Sequence, residues 1–173
     1  MFEKPLQGTK VTIRKFTEQD INSTYLKWLN DPVVTRYSNQ RFVLHTKQSC
    51  INYFLTFENS SNIFLAVKNK KDNKVIGTLT IYHALHHQTA DIGLMIGERG
   101  LWGQGYGQEA FSIVVDKLIS MGSIRKITAG TMEKNRAMIR IIEQAGLRWE
   151  ATRKQQELLD GEAVDILYYA RYQ

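Results

Sequence analysis

Leu101-Trp102-Gly103-Gln104-Gly105-Tyr106-Gly107-Gln108-Glu109-Ala110 stands between a strand-like run, Asp91 to Ile96, and an apolar stripe at helical spacing, Ala110, Phe111, Val114, Val115 and Leu118. Glycine at three alternate positions lets the backbone turn tightly and removes the Cβ atoms that would hold a ligand away. The helix that follows opens with amides that lack an intrahelical acceptor, at the positive end of its dipole. Strand, glycine turn and helix start in that order make a site suited to phosphate. No Gly-Lys-Ser/Thr follows, so this is not a P-loop. Gly105-x-Gly107-x-x-Ala110 matches the dinucleotide fingerprint formally, with Glu133 beyond the next strand. That fingerprint belongs to repeated strand–helix units, whereas hairpins precede this loop.

Outward from the loop, the period of the apolar residues sets the elements. Towards the N-terminus, Ile63-Phe64-Leu65-Ala66-Val67 and Val75 to Ile81 flank the turn-forming Lys68-Asn69-Lys70-Lys71-Asp72-Asn73-Lys74 and predict a hairpin. Val11-Thr12-Ile13-Arg14 reads as the first strand. Thr17 is an N-cap for a helix carrying Ile21, Tyr25, Trp28 and Leu29, which Pro32 ends, and Thr46 caps a second. Towards the C-terminus, Gly122 ends the central helix, Ile127 to Gly130 is strand-like, and Asn135 caps a helix with Gly146 just past its end. Asp160-Gly161 then joins two long strand-like runs, a strong hairpin signal. The expected fold class is α+β (α/β layered): a mostly antiparallel, twisted sheet of about seven strands, with helices on both faces and one parallel crossover near its centre.

The 173 residues are expected to form one domain, 1–173. Apolar residues at 43% and charged residues at 23% exclude the composition of a disordered chain. A single cysteine, Cys50, excludes an internal disulfide framework and a cysteine zinc cluster, and is expected to be a small buried or half-buried side chain. The net charge of +6 suits an anionic partner without naming it. The basic residues form no block and no nucleic-acid motif, so no nucleic-acid partner is expected. No stretch approaches a membrane span, and Met1-Phe2-Glu3-Lys4-Pro5 lacks the basic start and apolar run of a secretory signal. No membrane partner is expected, and the expected compartment is the cytoplasm. His83, His86 and His87 share a turn, and no metal is expected.

The glycine loop resembles motif A of the GCN5-related N-acetyltransferases, Gln/Arg-x-x-Gly-x-Gly/Ala, with Gly105 and Gly107 as its glycines and Trp102 where Gln or Arg stands. Trp-Gly-x-Gly-Tyr is familiar in the branch of ribosomal-protein and small-molecule acetyltransferases. Asn135 to Leu147 resembles motif B, Asn-x-x-Ser/Ala-x-x-x-x-Glu-Lys-x-Gly-Phe. The predicted element order matches that family from end to end.

The resemblance implies direct transfer of an acetyl group from acetyl-CoA to an amine in a ternary complex. It places the pyrophosphate on the amides of Gln104, Gly105, Tyr106, Gly107 and Gln108, and counts Trp102 and Gly103 of the same loop among the cofactor-binding residues. It runs the pantetheine arm beside Leu94-Met95-Ile96, where a backbone N–H would polarise the thioester carbonyl, and sets Asn135 where the strands splay. An alkylammonium of pKa about 10 must lose a proton before it attacks. Asp91, in Ala90-Asp91-Ile92, is the candidate base or water-holder, and His83 on the neighbouring strand is the alternative. Ile142 stands where many relatives carry an acidic Tyr, so Tyr106 or Tyr168 serves instead or the thiolate leaves unassisted.

The acceptor is expected to be a small-molecule amine. Tyr25 to Pro32 and Val34-Thr35-Arg36-Tyr37 resemble the N-terminal region of amino-sugar and aminoglycoside acetyltransferases, and Val164 to Tyr169 resembles the ending of enzymes acting on nucleotide-linked 4-amino sugars. On that reading Trp28 and Tyr37 stack on the acceptor, and Arg36 or Arg41 holds a diphosphate. Acetylation of a protein N-terminus, ribosomal proteins included, and a non-catalytic acyl-CoA-binding module are the alternatives. A monomer or homodimer is expected.

Overall fold

A computed structural model of the chain describes residues 2–173. Met1, which opens both the expected domain and the stretch read against a secretory signal, lies outside the described residues. In chain order the elements are β1 (Leu6–Gln7), β2 (Val11–Lys15), α1 (Ser23–Leu29), α2 (Lys47–Glu58), β3 (Ile63–Asn69), β4 (Val75–Ala84), β5 (Thr89–Ile96), α3 (Tyr106–Ser120), β6 (Lys126–Met132), α4 (Arg136–Gln144), β7 (Arg148–Leu159) and β8 (Glu162–Tyr172). They build one eight-stranded sheet in the order β1-β2-β3-β4-β5-β6-β8-β7. Every pairing is antiparallel except β5 with β6, the two strands joined through α3. The Asp160-Gly161 turn takes φ of 53° and 84°, the left-handed pair that suits a tight hairpin between β7 and β8.

Two expectations are corrected. The eighth strand, Leu6–Gln7, pairs with Ile13 and Thr12 of β2 and is too short for alternation to reveal it. The helix expected from Thr17 is split. Thr17 opens only a 3₁₀ turn, Glu18–Asp20, and Asn22 caps α1 by accepting from the amides of Thr24 and Tyr25. The interruption follows from Asp20, whose carboxylate accepts from the Thr17 backbone and from the two terminal Arg14 guanidinium nitrogens at 2.7 Å, tying the turn back to β2.

Successive residues of β3 show the layering. Leu65 and Val67 join the core that α3 and α4 cover, with Phe111, Val114, Leu118, Ile127 and Ile142. Phe64 and Ala66 join the core that α1 and α2 cover, with Phe16, Tyr25, Trp28, Cys50 and Phe54. Alternation along a strand sends neighbours to opposite faces, so helices lie on both faces as expected.

The feature that positions the site is a fork in the sheet. β5 and β6 pair only through Thr89 with Lys126, Ala90 with Ile127 and Asp91 with Thr128. Beyond Asp91 the two strands part. Ile92–Ile96 keeps β4 on one side and has no strand on the other among the described residues. A third apolar cluster, Met132, Leu159, Val164 and Ile166 with Tyr37 and Tyr168 packed on it, supports the far arm of the fork.

Candidate active site

The glycine loop sits at the mouth of the fork, immediately after β5. Gly103 and Gly105 take φ of 74° and 84°, a region that costs a side-chain-bearing residue about 1–2 kcal/mol. Gly105 is the N-cap of α3 and offers its first turn no side-chain acceptor, so those amides stay available to an anion. A Cβ at Gly103 would meet nothing within 4 Å, which leaves the outer face of the loop open. A Cβ at Gly107 would lie 3.2–3.3 Å from side chains of Ile96, Leu94 and Ile141, so glycine there lets α3 start close against β5. Trp102 turns its indole back on the strand, donating from Nε1 to the Ile96 carbonyl at 2.7 Å. That bond ties the turn to the end of β5.

These residues fit acetyl-CoA. Positive-φ glycines, uncapped amides and an unpaired stretch of β5 offer a phosphate cradle next to a strand edge. Leu94 and Ile96 turn their side chains towards α3 and Met95 turns to the opposite face; all three are half-buried, leaving the backbone edge for the cofactor arm. Gln108 bridges the helices by donating to Ser112 Oγ at 2.9 Å and to the Ile141 carbonyl at 3.3 Å. Its buried Oε1 has no partner among the described residues, an acceptor left open at that seam. Asn135 caps α4 by accepting from the Met138 amide and donates to Thr131 Oγ1 at 3.1 Å, fixing the helix to the far arm of the fork.

Asp91 stands where the strands part. Its Oδ1 accepts from Thr128 Oγ1 at 2.5 Å across the last paired step. Burial against the sheet raises its pKa above the ordinary carboxylate range, and the Thr128 hydrogen bond opposes that rise. The residue as a whole stays open to a cleft of about 220 Å³, lined also by Tyr37, Asn39, Gly130, Glu157 and Tyr168. The Tyr168 ring lies on the Gly130 backbone, where a Cβ would come within 3.0 Å of it. Tyr37 reaches the cleft from the segment after α1, which Arg41 holds to β7 by donating to the Leu158 carbonyl at 2.9 Å.

Several expected site residues stand elsewhere. His83 pairs with Ala90 and shares its face, the one covered by α3, whereas Asp91 and its partner Tyr82 face α2. Alternation therefore removes His83 from the cleft. Trp28 is 6% exposed, and its indole packs on Gly97 at the end of β5, where a Cβ would come within 2.0 Å of the ring. It is a packing residue of the core that α1 and α2 cover. Arg36 forms an ion pair with Asp160 at 2.5 Å, strapping its segment to the β7–β8 turn, and is not among the cleft's lining residues. Tyr106 is buried at the start of α3 with Lys10 over its ring, so of the two candidate phenols only Tyr168 lines the cleft. Ile142 is fully buried. Thr128 and Glu157 had no local signal, since register between distant strands places them, and Asn39 arrives on the 3₁₀ turn after α1. No group of metal-ligating side chains occurs among the described residues.

A sheet forked at its one parallel pairing, with a glycine loop and a helix start at the mouth, defines an acyl-CoA-dependent transferase. Residues 10–148 match the family model described as an acetyltransferase (GNAT) domain, and the chain belongs to that family. Its domain is an acetyl-CoA-dependent N-acetyltransferase. The chain is 25% identical over 171 residues to the uncharacterized N-acetyltransferase YoaA of Bacillus subtilis, covering 95% of this chain and 94% of that protein. It is 22% identical over 142 residues to a Methanocaldococcus jannaschii protein, MJ1062, of which the match spans only 29%. Among solved structures, RimL, a ribosomal-protein α-N-acetyltransferase in complex with coenzyme A, superposes with a TM-score of 0.85 at 17% identity, over 98% of both chains. A spermidine N-acetyltransferase from Vibrio cholerae, in complex with CoA and spermine, does so at 0.84 and 14% identity, over 96% and 97%.

Proposed function

We propose that this chain acetylates the primary amine of a compact small molecule, an amino sugar, seated in the cleft beside Asp91. The observation that carries the reading is the cleft itself: about 220 Å³, bounded by Tyr37 and Tyr168, opening on the carboxylate at the fork. Ligand sites commonly span about 300–1,000 Å³, so this space suits a single ring. The aromatic walls suit the apolar face of a sugar. Asp91 and Glu157 line the cleft, and Arg36 and Arg153 lie over the Tyr37 and Tyr168 rings rather than among its lining residues, which favours a free amino sugar over a nucleotide-linked one.

The chemistry asked of the chain is proton removal and orientation. The attacking nitrogen arrives largely protonated, and Asp91 accepts the proton directly or through one water. Thr128 holds that carboxylate in place and favours its ionised form. Acetyl-CoA supplies the acetyl group, and Tyr168 is the phenol on this wall able to return a proton to the departing thiolate.

A second reading, a linear polyamine, draws on the same two carboxylates and on the spermine-bound neighbour. Tyr37→Ala separates them. For an amino sugar it raises the acceptor KM by about 2- to 12-fold, as expected for a lost stacking wall of about 0.5–1.5 kcal/mol, and leaves acetyl-CoA affinity unchanged. An acceptor KM indifferent to Tyr37 but raised by Glu157→Gln favours the polyamine.

A further inference from the structure

We propose that Lys10 is a cofactor-binding residue, its ammonium holding the pyrophosphate of acetyl-CoA against the glycine loop. Lys10 lies on the turn between β1 and β2, far from the loop in sequence. Its Nζ donates to the Gln104 carbonyl at 2.6 Å and stands 3.4 Å from the point a Cβ of Gly105 would occupy. The same Nζ lies 5.7 Å from the centre of the Tyr106 ring. The cation therefore sits among Gln104, Gly105 and Tyr106, three of the residues whose amides form the phosphate cradle. The side chain is exposed, and an ammonium has three donors, so the bond to Gln104 leaves donors for a phosphate oxygen. Lysine binds phosphate as a point charge and needs no forked geometry.

The turn that carries Lys10 is held in place by the helix it serves. Glu109, in the first turn of α3, accepts from the backbone N–H groups of Thr9 at 2.9 Å, Lys10 at 2.8 Å and Val11 at 2.9 Å, and from the Thr9 hydroxyl. A carboxylate at that position is of the wrong sign for an anion site. These four donors turn its charge towards the β1–β2 turn, and Lys10 offsets it on the loop side. Lys10 also covers the Gln104 carbonyl, whose negative end would face an incoming phosphate.

The test is calorimetric titration of the full chain with CoA, dephospho-CoA and pantetheine, at two salt concentrations, for wild type, Lys10→Met and Lys10→Arg. Lys10→Met is expected to weaken CoA and dephospho-CoA alike by about tenfold, to leave pantetheine unchanged and to flatten the salt dependence. Lys10→Arg is expected to restore most of the affinity. Unchanged dephospho-CoA affinity, or an equal loss for pantetheine, overturns the proposal; the second result makes Lys10 a loop-shaping residue alone. These readouts need no acceptor, so they stand apart from the amino-sugar reading.

Discussion

Replacing Thr128 by Val removes one hydroxyl at the fork and keeps the side-chain shape. The Thr128 Oγ1 to Asp91 Oδ1 bond, at 2.5 Å, is made to the charged carboxylate and favours ionisation. Hydrogen bonds to charged groups contribute about 1.5–3 kcal/mol, and the open cleft reduces that to about 1 kcal/mol here. At about 1.4 kcal/mol per pH unit, the loss moves the acidic limb of the kcat/KM profile upward by about half to one pH unit. The sign is set by the chemistry: Asp91 works as a base only when ionised, and burial already disfavours that form. Thr128→Val is therefore slower than wild type on the limb and equal to it on the alkaline plateau. The assay is thiol release from acetyl-CoA across pH 4–9 at saturating cofactor. Asp91→Asn provides the reference, with a rate about 10²-fold lower, the limb absent and cofactor affinity intact. A Thr128→Val limb that does not move, or an Asp91→Asn variant with the wild-type profile, refutes the reasoning.

Gly105→Val places a β-branched residue at a φ of 84° and a side chain in the phosphate cradle; CoA titration should show binding abolished while circular dichroism shows the fold kept. Trp28→Ala opens a cavity beneath Gly97 and should cost about 3–5 kcal/mol in urea unfolding, while Trp28→Phe leaves the acceptor KM unchanged. For Asp20, burial raises the pKa, but the bonds from Arg14 and Thr17 outweigh it and hold the folded value below the ordinary one. Its contribution is thus present above about pH 4 and lost as pH falls through the folded value. Asp20→Asn should cost about 2–4 kcal/mol at neutral pH, and the melting temperature should then fall less on acidification than in wild type.

Much of this molecule is legible locally. The glycine loop, the Asp160-Gly161 hairpin, the Asn135 cap and the amphipathic α3 each depend on residues within a few positions of one another, and the structure keeps them. Asp91 stands out through the family resemblance in Ala90-Asp91-Ile92; the structure sets it third in β5, at the last step paired with β6. What failed needed register. His83 and Asp91 sit on adjacent strands, yet which face each takes follows from the length of the turn between them and from the pairing of His83 with Ala90. Trp28 lies on the helix stripe, and its burial became visible only when β5 brought Gly97 beneath it. Arg36 found Asp160 across 124 positions of sequence, and Lys10 found Gln104 across 94. Such pairings carry no local signature.

The central claim is that the acetyl group of acetyl-CoA passes to the amine of a small ring held at the fork. The direct measurement is turnover of acetyl-CoA with a panel of free amino sugars, sugar nucleotides, polyamines and N-terminal peptides, with the acetylated product identified by mass spectrometry. The account predicts N-acetylated free amino sugar, formed by wild type and lost in Asp91→Asn. Turnover of N-terminal peptides with none on any small amine would contradict it.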